Sequence, residues 1–171
     1  FANTDWNKEV FRTAFMHTHH LSIRGGTEKA SYMNSLEYLD QDGIMIGTSN
    51  KRLNFRSNID YTVNKHFSFG FNLSGGRDRI DEPYQGTGGG NGIMRKLYWF
   101  TRPNVPVKYS NGLWGAVDGN AGAGMVAIHN PVKAEYIGDH YEENYRFDGT
   151  AFAELTIWKN LTFKTNLGAT Y

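Results

Sequence analysis

The sequence predicts an all-β protein with long antiparallel strands, of the kind that form a membrane-spanning β-barrel. From Arg52 to Val63, alternate positions carry Leu, Phe, Ser, Ile, Tyr and Val, and the positions between them carry Arg, Asn, Arg, Asn, Asp and Thr. From His66 to Gly76 the pattern repeats, with three phenylalanines and Leu73 on the apolar side. Successive strand side chains point to opposite faces, so each stretch has one apolar and one polar face. Strands of soluble sandwiches usually have about 5–6 residues, whereas a strand that crosses a bilayer needs about 9–11.

Composition narrows the class further. The 171 residues contain no cysteine and no run of about 18 apolar residues, which excludes a disulfide scaffold, thiolate metal sites and a helical membrane protein. A formal charge of +1 gives no reason to expect a nucleic-acid partner. A negative mean hydropathy is compatible with a barrel, because alternation hides its apolar face.

The chain divides into four parts. Residues 1–16 predict a loop with a short helix, since Asp5 is a helix N-cap residue and Trp6 and Val10 follow at helical spacing. Residues 17–76 predict four strands, beginning where His19, Leu21 and Ile23 start a period of two. The ranges that complete the division are 77–144, a long loop, and 145–171, two further strands.

The connections alternate between short and long. Short breaks fall at 26–29, 64–65 and 158–160, and longer ones at 40–50 and 77–144. Outer-membrane barrels have short periplasmic turns and long extracellular loops, so 77–144 is expected to be extracellular. Six strands are fewer than the 8 or more of bacterial barrels. Phe1 does not open a signal peptide and Tyr171 ends within a strand pattern, so the sequence reads as a piece of a longer protein.

Several motifs carry a family resemblance. They are Asn3-Thr4-Asp5-Trp6, His20 to Lys29, Ser35 to Ile44, Asn58-Ile59-Asp60, Asn130-Pro131-Val132 and Asn160-Leu161-Thr162-Phe163. Together these stretches resemble the barrel of SusC/RagA-type TonB-dependent outer-membrane transporters. The resemblance spans nearly the whole chain and is weakest between Arg77 and His129.

The resemblance implies a barrel of about 22 strands, filled by a plug and driven through TonB from the inner membrane. It also implies a SusD-like surface lipoprotein as partner, outer-membrane lipid around the barrel, and a glycan or peptide as the nutrient. This sequence contains no plug and no segment that matches a TonB contact.

The long loop holds the candidate binding residues. Aromatic rings offer apolar area, and Tyr and Trp add a polar tip, which suits a recognition surface. Packing of the loop against itself or a partner explains such rings equally well. The predicted substrate-binding residues are Tyr98, Trp99, Tyr109 and Trp114.

The polar strand faces hold a second set of candidates. Charged side chains that face lipid cost about 2–4 kcal/mol at the bilayer midplane, so these are expected to face the lumen. The predicted lumen-facing residues are Arg24, Arg52, Arg56, Asp60, Glu154 and Lys164.

No motif predicts catalysis, a metal or a cofactor. His17 and His19 share a strand face that His20 does not, so three-fold ligation fails on geometry. The stretch from Asp40 to Gly43 lacks the remaining ligands of a calcium loop and predicts a turn. We therefore expect a non-enzymatic protein.

Two alternatives remain open. A soluble carbohydrate-binding β-sandwich would bury the stripe of Phe67, Phe69 and Phe71 against a second sheet. A small barrel complete in 171 residues would need at least two more strands within 77–144, where no alternation is present.

Overall fold

In the computed structural model the chain forms two compact units. The structure describes residues 2–83, 92–94, 97, 101–115, 130–137 and 140–171. The first of the two units, here called the loop unit, comprises Phe1–Phe15, Gln41–Asn50 and Ile80–Glu142. The second, here called the sheet unit, comprises Met16–Asp40, Lys51–Arg79 and Glu143–Tyr171.

One antiparallel sheet contains all six strands in sequence order, β1-β2-β3-β4-β5-β6. The strands are β1 (Met16–Gly26), β2 (Ala30–Asp42), β3 (Ser49–Asn64), β4 (Phe67–Asp81), β5 (Tyr141–Trp158) and β6 (Leu161–Thr170). Strand lengths of 10–18 residues are those of a membrane-spanning sheet. The predicted fold class, a six-stranded antiparallel barrel segment, is confirmed.

The predicted short breaks are tight turns. Thr27 N–H donates to the carbonyl of Ala30 at 2.6 Å, which closes the β1–β2 turn. In the β3–β4 turn the side-chain oxygen of Asn64 accepts from the backbone N–H of His66 at 2.8 Å and Phe67 at 3.0 Å. Asn suits such positions because its side chain replaces a backbone acceptor.

The strands run further than alternation predicts. β4 continues to Asp81 and β5 begins at Tyr141, so the connection between them is shorter than 77–144. Alternation fails here because Arg77, on the face of the phenylalanines, forms an ion pair with Glu143, its Nε donating to Oε1 at 2.7 Å. Polar residues on both faces remove the period-two signal beyond the apolar band.

The apolar face of the sheet is exposed on every strand. Its representatives are Ile23, Leu36, Phe55, Phe69, Leu155 and Phe163, which are between 38% and 59% exposed. Among the described residues no second sheet covers this face. The β-sandwich alternative requires Phe69 to be buried, and its exposure of 38% contradicts that requirement.

One residue breaks the alternation for a local reason. Phe152 lies on the polar face, where its ring occupies the space above Gly70 on the neighbouring strand. A Cβ on Gly70 would lie 2.6 Å from the Phe152 ring and 2.6 Å from the carbonyl oxygen of Ile59. From β6, Lys164 places its Nζ 5.4 Å from the centroid of the Phe152 ring. An aromatic ring therefore packs on a glycine, a device that stabilises sheets.

The loop unit has its own hydrophobic core. Helix α1 (Trp6–Val10) is capped by Asp5, whose carboxylate accepts from Lys8 N–H, as predicted. Helix α2 (Pro131–Ile137) follows Asn130. The core residues are Trp6, Val10, Ile93, Leu97 and Val132, with Met45, Ile46, Val105, Val107 and Trp114 packed against them.

Within the described residues, no helix has the length and apolar character to cross a membrane.

Candidate functional site

Asn130 is a buried polar residue of the loop unit with a full set of hydrogen bonds. Its side chain is 1% exposed. Its amide N–H₂ donates to the carbonyls of Val107 at 3.0 Å and Gly115 at 3.2 Å, and its oxygen accepts from the N–H of Val132 and Lys133, both at 3.1 Å. The acceptor half caps α2, whose N1 position holds proline. All four hydrogen-bonding positions of the amide are used, so Asn130 joins α2 to residues 107–115.

Residues 107–115 form a small hairpin. Gly115 N–H donates to the carbonyl of Val107 at 2.9 Å, and Tyr109 N–H donates to Leu113 at 2.8 Å. Gly112 has φ of 83°, a conformation that favours glycine in such a turn. The hairpin thus presents Tyr109, 44% exposed, on a bonded backbone.

The hairpin and α2 together form a lysine–aromatic cluster of Lys108, Trp114 and Tyr136. The centroids of the two rings are 5.3 Å apart, at an interplanar angle of 45°. The Lys108 ammonium lies 4.2 Å from the centroid of Trp114 and 5.7 Å from that of Tyr136. A cation over a ring face is attracted by the ring quadrupole. Tyr136 is 75% exposed, so one ring of the cluster is open to solvent.

The predicted binding residues divide in two. Trp114 and Tyr109 lie on the hairpin, and Trp114 is part of the lysine–aromatic cluster. Tyr98 and Trp99 lie outside the described residues. The role of all four in binding stays a prediction.

The N-terminal segment holds the loop unit together. Trp6 donates its indole N–H to the carbonyl of Arg102 at 2.9 Å, and Thr4 donates its hydroxyl to Val105 at 2.7 Å. Arg12 contacts Asp42 at 3.2 Å and also donates to the carbonyls of Gly43 and Thr48. The turn predicted at Asp40 to Gly43 is misplaced, because β2 extends through Asp42. The chain turns after Asp42, and the Arg12 guanidinium bonds to both ends of that turn, at Gly43 and Thr48.

The predicted lumen-facing residues share one face of the sheet. Asp60 lies beside Gly70 under Phe152, and Glu154 pairs with Lys164 at 3.8 Å. Arg52 and Arg56 line a concavity of about 830 Å³ on the same face. A Cβ on Gly25 would meet the ring of Tyr32, so position 25 belongs to the apolar face. Arg24 precedes it in β1 and therefore points to the polar face. That this polar face borders the lumen stays a prediction.

The concavity contains charges of both signs. The charged residues that line it from the polar face are Glu37, Arg52, Arg56, Asp78, Arg146 and Asp148. Asn54 donates to Glu37 at 3.4 Å. Among the described residues, Asp78 Oδ1 is buried without a donor. Buried polar atoms of native structures usually have a hydrogen-bond partner, which includes ordered water.

The histidines have the predicted arrangement. His17 and His19 lie on one face with ring centroids 5.2 Å apart, and His20 lines the concavity on the other. Among the described residues, no group of three His, Asp or Glu side chains is placed to hold a metal.

The predicted binding set left out Tyr136, which the sequence shows only as one of several loop aromatics, and sequence reasoning missed Lys108 and the role of Asn130. Lys108 and Tyr136 are 28 positions apart, so no periodic signal joins them. Asn130 was recoverable, because Asn followed by Pro is a signature of a helix start.

The sequence of the chain is similar to those of TonB-dependent receptors. No family model matches the chain. TonB-dependent receptor P3 of Formosa agariphila is 31% identical over 176 residues, covering 98% of this chain and 16% of that protein. TonB-dependent receptor SusC of Bacteroides thetaiotaomicron is 32% identical over 128 residues, covering 71% of this chain and 12% of SusC. The chain thus spans a small part of the length of these relatives.

Solved structures agree with the sequence relatives. The RagAB peptide importer in its open-open state matches with a TM-score of 0.70 and 27% identity, over 97% of this chain and 18% of that chain. The RagAB peptide transporter matches with a TM-score of 0.67 and 25% identity, over 99% of this chain. Long antiparallel strands, an exposed apolar face and these relatives converge. The chain belongs to the SusC/RagA-type TonB-dependent transporters of the outer membrane, as part of their β-barrel.

Proposed function

We propose that this chain forms part of the wall and of the extracellular vestibule of a TonB-dependent importer of glycans or peptides. The observation that carries the proposal is the division of apolar surface. The sheet unit exposes its apolar side chains on one face, and most buried apolar side chains belong to the loop unit. A face of this kind is stable against lipid and unstable in water.

In this proposal the polar face borders the lumen. Its charges pair with each other in part, as Glu154 and Lys164 do, and in part meet other segments of the longer transporter. A plug coupled to TonB and a SusD-like surface lipoprotein are the partners that the family likeness supports.

The loop unit supplies the surface that meets the nutrient. Tyr109 and Trp114 lie on the hydrogen-bonded backbone of the hairpin, which lowers the entropy lost when a ligand binds. Tyr109 and Trp114 are the described residues proposed to bind, and Tyr98 and Trp99 complete the set. The relatives are named as receptors and transporters, which supports import without covalent chemistry.

Two measurements test the proposal. The denatured mass of the polypeptide, taken from a detergent-extracted outer-membrane fraction, is expected to be several times 19.4 kDa. A water-soluble species of 19.4 kDa would instead support a self-sufficient binding module.

The second measurement is uptake by cells that carry Trp114→Ala. Uptake is expected to fall while the amount of heat-modifiable barrel in the outer membrane stays unchanged. Uptake equal to the unaltered protein would remove Trp114 from the binding surface.

A further inference from the structure

We propose that the lysine–aromatic cluster of Lys108, Trp114 and Tyr136 is a subsite for an acidic sugar unit, a pyranose that carries a carboxylate or a sulfate. The inference rests on the proposed import function and specifies one class of its substrate. It starts from a cation that the described residues leave without a carboxylate partner.

The position of Lys108 is fixed by rings rather than by an acid. Its ammonium lies 4.2 Å from the Trp114 centroid, on the strand partner across the hairpin. This contact restrains a long flexible side chain, and within the described part of the chain it supplies no negative charge, because a ring carries only a quadrupole. An anion that approaches from solvent meets a charge whose side-chain entropy is already reduced.

Tyr136 supplies the second element of recognition. Its ring is 75% exposed, and its centroid lies 5.7 Å from the same ammonium. A pyranose has a flat face of C–H groups, whose positive edges suit the negative face of an aromatic ring. A sugar stacked on Tyr136 would place an acidic substituent within reach of Lys108.

The two elements require different chemistry in one ligand. A neutral sugar would use the Tyr136 ring alone, and an acidic peptide side chain would use Lys108 alone, since it has no flat apolar face. The acidic sugar is the ligand that uses both. The geometry is built in advance, because Asn130 joins the hairpin of Lys108 to the helix of Tyr136 through four hydrogen bonds.

The test is binding to the full-length transporter in detergent, measured by calorimetry. The probes are oligogalacturonate, sulfated dextran and unsulfated dextran of matched length, with hexaglutamate as the peptide arm. We expect an acidic sugar to bind about tenfold or more tightly than dextran, and the preference to weaken as salt rises. Comparing the carboxylated with the sulfated probe identifies the acidic group.

Variants separate the two elements. Lys108→Gln is expected to abolish the preference for acidic sugar, and Lys108→Arg to retain it. Tyr136→Ala is expected to weaken acidic-sugar binding about tenfold, with Tyr136→Phe close to the unaltered protein. Lys8→Gln is the matched control, since Lys8 is an exposed lysine of the same unit.

Three results would overturn the inference. They are an acidic preference that survives Lys108→Gln, hexaglutamate binding that depends on Lys108 but not on Tyr136, and no binding of either acidic sugar. Nutrient uptake and outer-membrane location, measured separately on the same cells, would still stand or fall with the proposed function.

Discussion

The Asn130 amide gives the sharpest test of how the loop unit is held together. The substitution Asn130→Asp keeps the shape and both acceptor contacts to α2, but it replaces the N–H₂ group by an oxygen. That oxygen would face the carbonyls of Val107 and Gly115, now 3.0 and 3.2 Å away. The change therefore removes two hydrogen bonds and leaves two carbonyls without their donor.

The magnitude follows from these contacts. Each lost hydrogen bond is worth about 0.5–1.5 kcal/mol, and a buried group left unpaired costs about 1–3 kcal/mol. With the residue 1% exposed, water cannot replace the donor without opening the site. We expect the loop unit to lose about 2–5 kcal/mol of local stability. At about 1.4 kcal/mol per factor of ten, the open population rises about 30-fold or more.

Limited proteolysis of the transporter in intact outer membrane measures this change. When opening and closing are faster than cleavage, the cleavage rate of the loop unit follows the open population. Asn111→Asp is the matched control, because Asn111 accepts from Leu113 N–H at 3.1 Å and, among the described residues, donates to none, so an aspartate can do the same. A cleavage rate for Asn130→Asp within about threefold of the control would refute the reasoning.

The pH dependence of the cleavage rate gives a second test of the same substitution. A carboxyl introduced at this buried position regains one O–H donor when it is protonated. The excess cleavage of Asn130→Asp should therefore shrink as the pH falls. Excess cleavage that grows as the pH falls would mean that the two carbonyls do not depend on the amide donor.

Three further predictions address the sheet and the N-terminal segment. Phe69→Arg should block barrel assembly, because an arginine facing lipid costs about 2–4 kcal/mol at midplane; Ser68→Arg, on the opposite face, is the control, and heat-modifiable mobility on a gel measures both. Gly70→Ala should destabilise the barrel by about 1–3 kcal/mol in a urea titration, because its Cβ would meet Ile59 oxygen and the Phe152 ring at 2.6 Å. Gly168→Ala, whose Cβ would have its nearest neighbour at 3.7 Å, should change little, and equal effects would contradict the packing argument. Arg12→Lys should speed hydrogen exchange of Gly43 N–H about fivefold or more, because the planar fork to Gly43, Asp42 and Thr48 is lost; unchanged exchange would mean that Arg12 does not fix the turn.

The sheet was predictable from sequence because each strand carries its own period-two signal. The alternation of residues 52–63 predicts both the strand and the face that each side chain occupies. The signal ends where lipid no longer selects apolar side chains, so the outer ends of β4 and β5 around Arg77 and Glu143 were missed. Phe152 departs from the alternation because its ring packs over Gly70, a contact that the period-two pattern does not show.

The loop unit was not predictable in the same way. Its core joins Trp6, Ile93 and Val132, which lie in distant segments and share no spacing. Lys108 and Tyr136 lie on two elements that Asn130 connects by hydrogen bonds. Such contacts depend on tertiary structure, and no periodic pattern within one segment predicts them.

The sequence separations of the loop-unit contacts bear on the order of folding. Trp6 finds its acceptor 96 residues along the chain and Thr4 finds one 101 residues along. The intervening chain contains β1 to β4, and β1, β2 and β3 each pair with a strand that follows after a short connection. Contacts of low contact order form fast, and long closures pay their entropy first. During insertion, adjacent hairpins should therefore form before the Trp6 side chain finds its place, leaving the loop unit as the last part of this chain to mature.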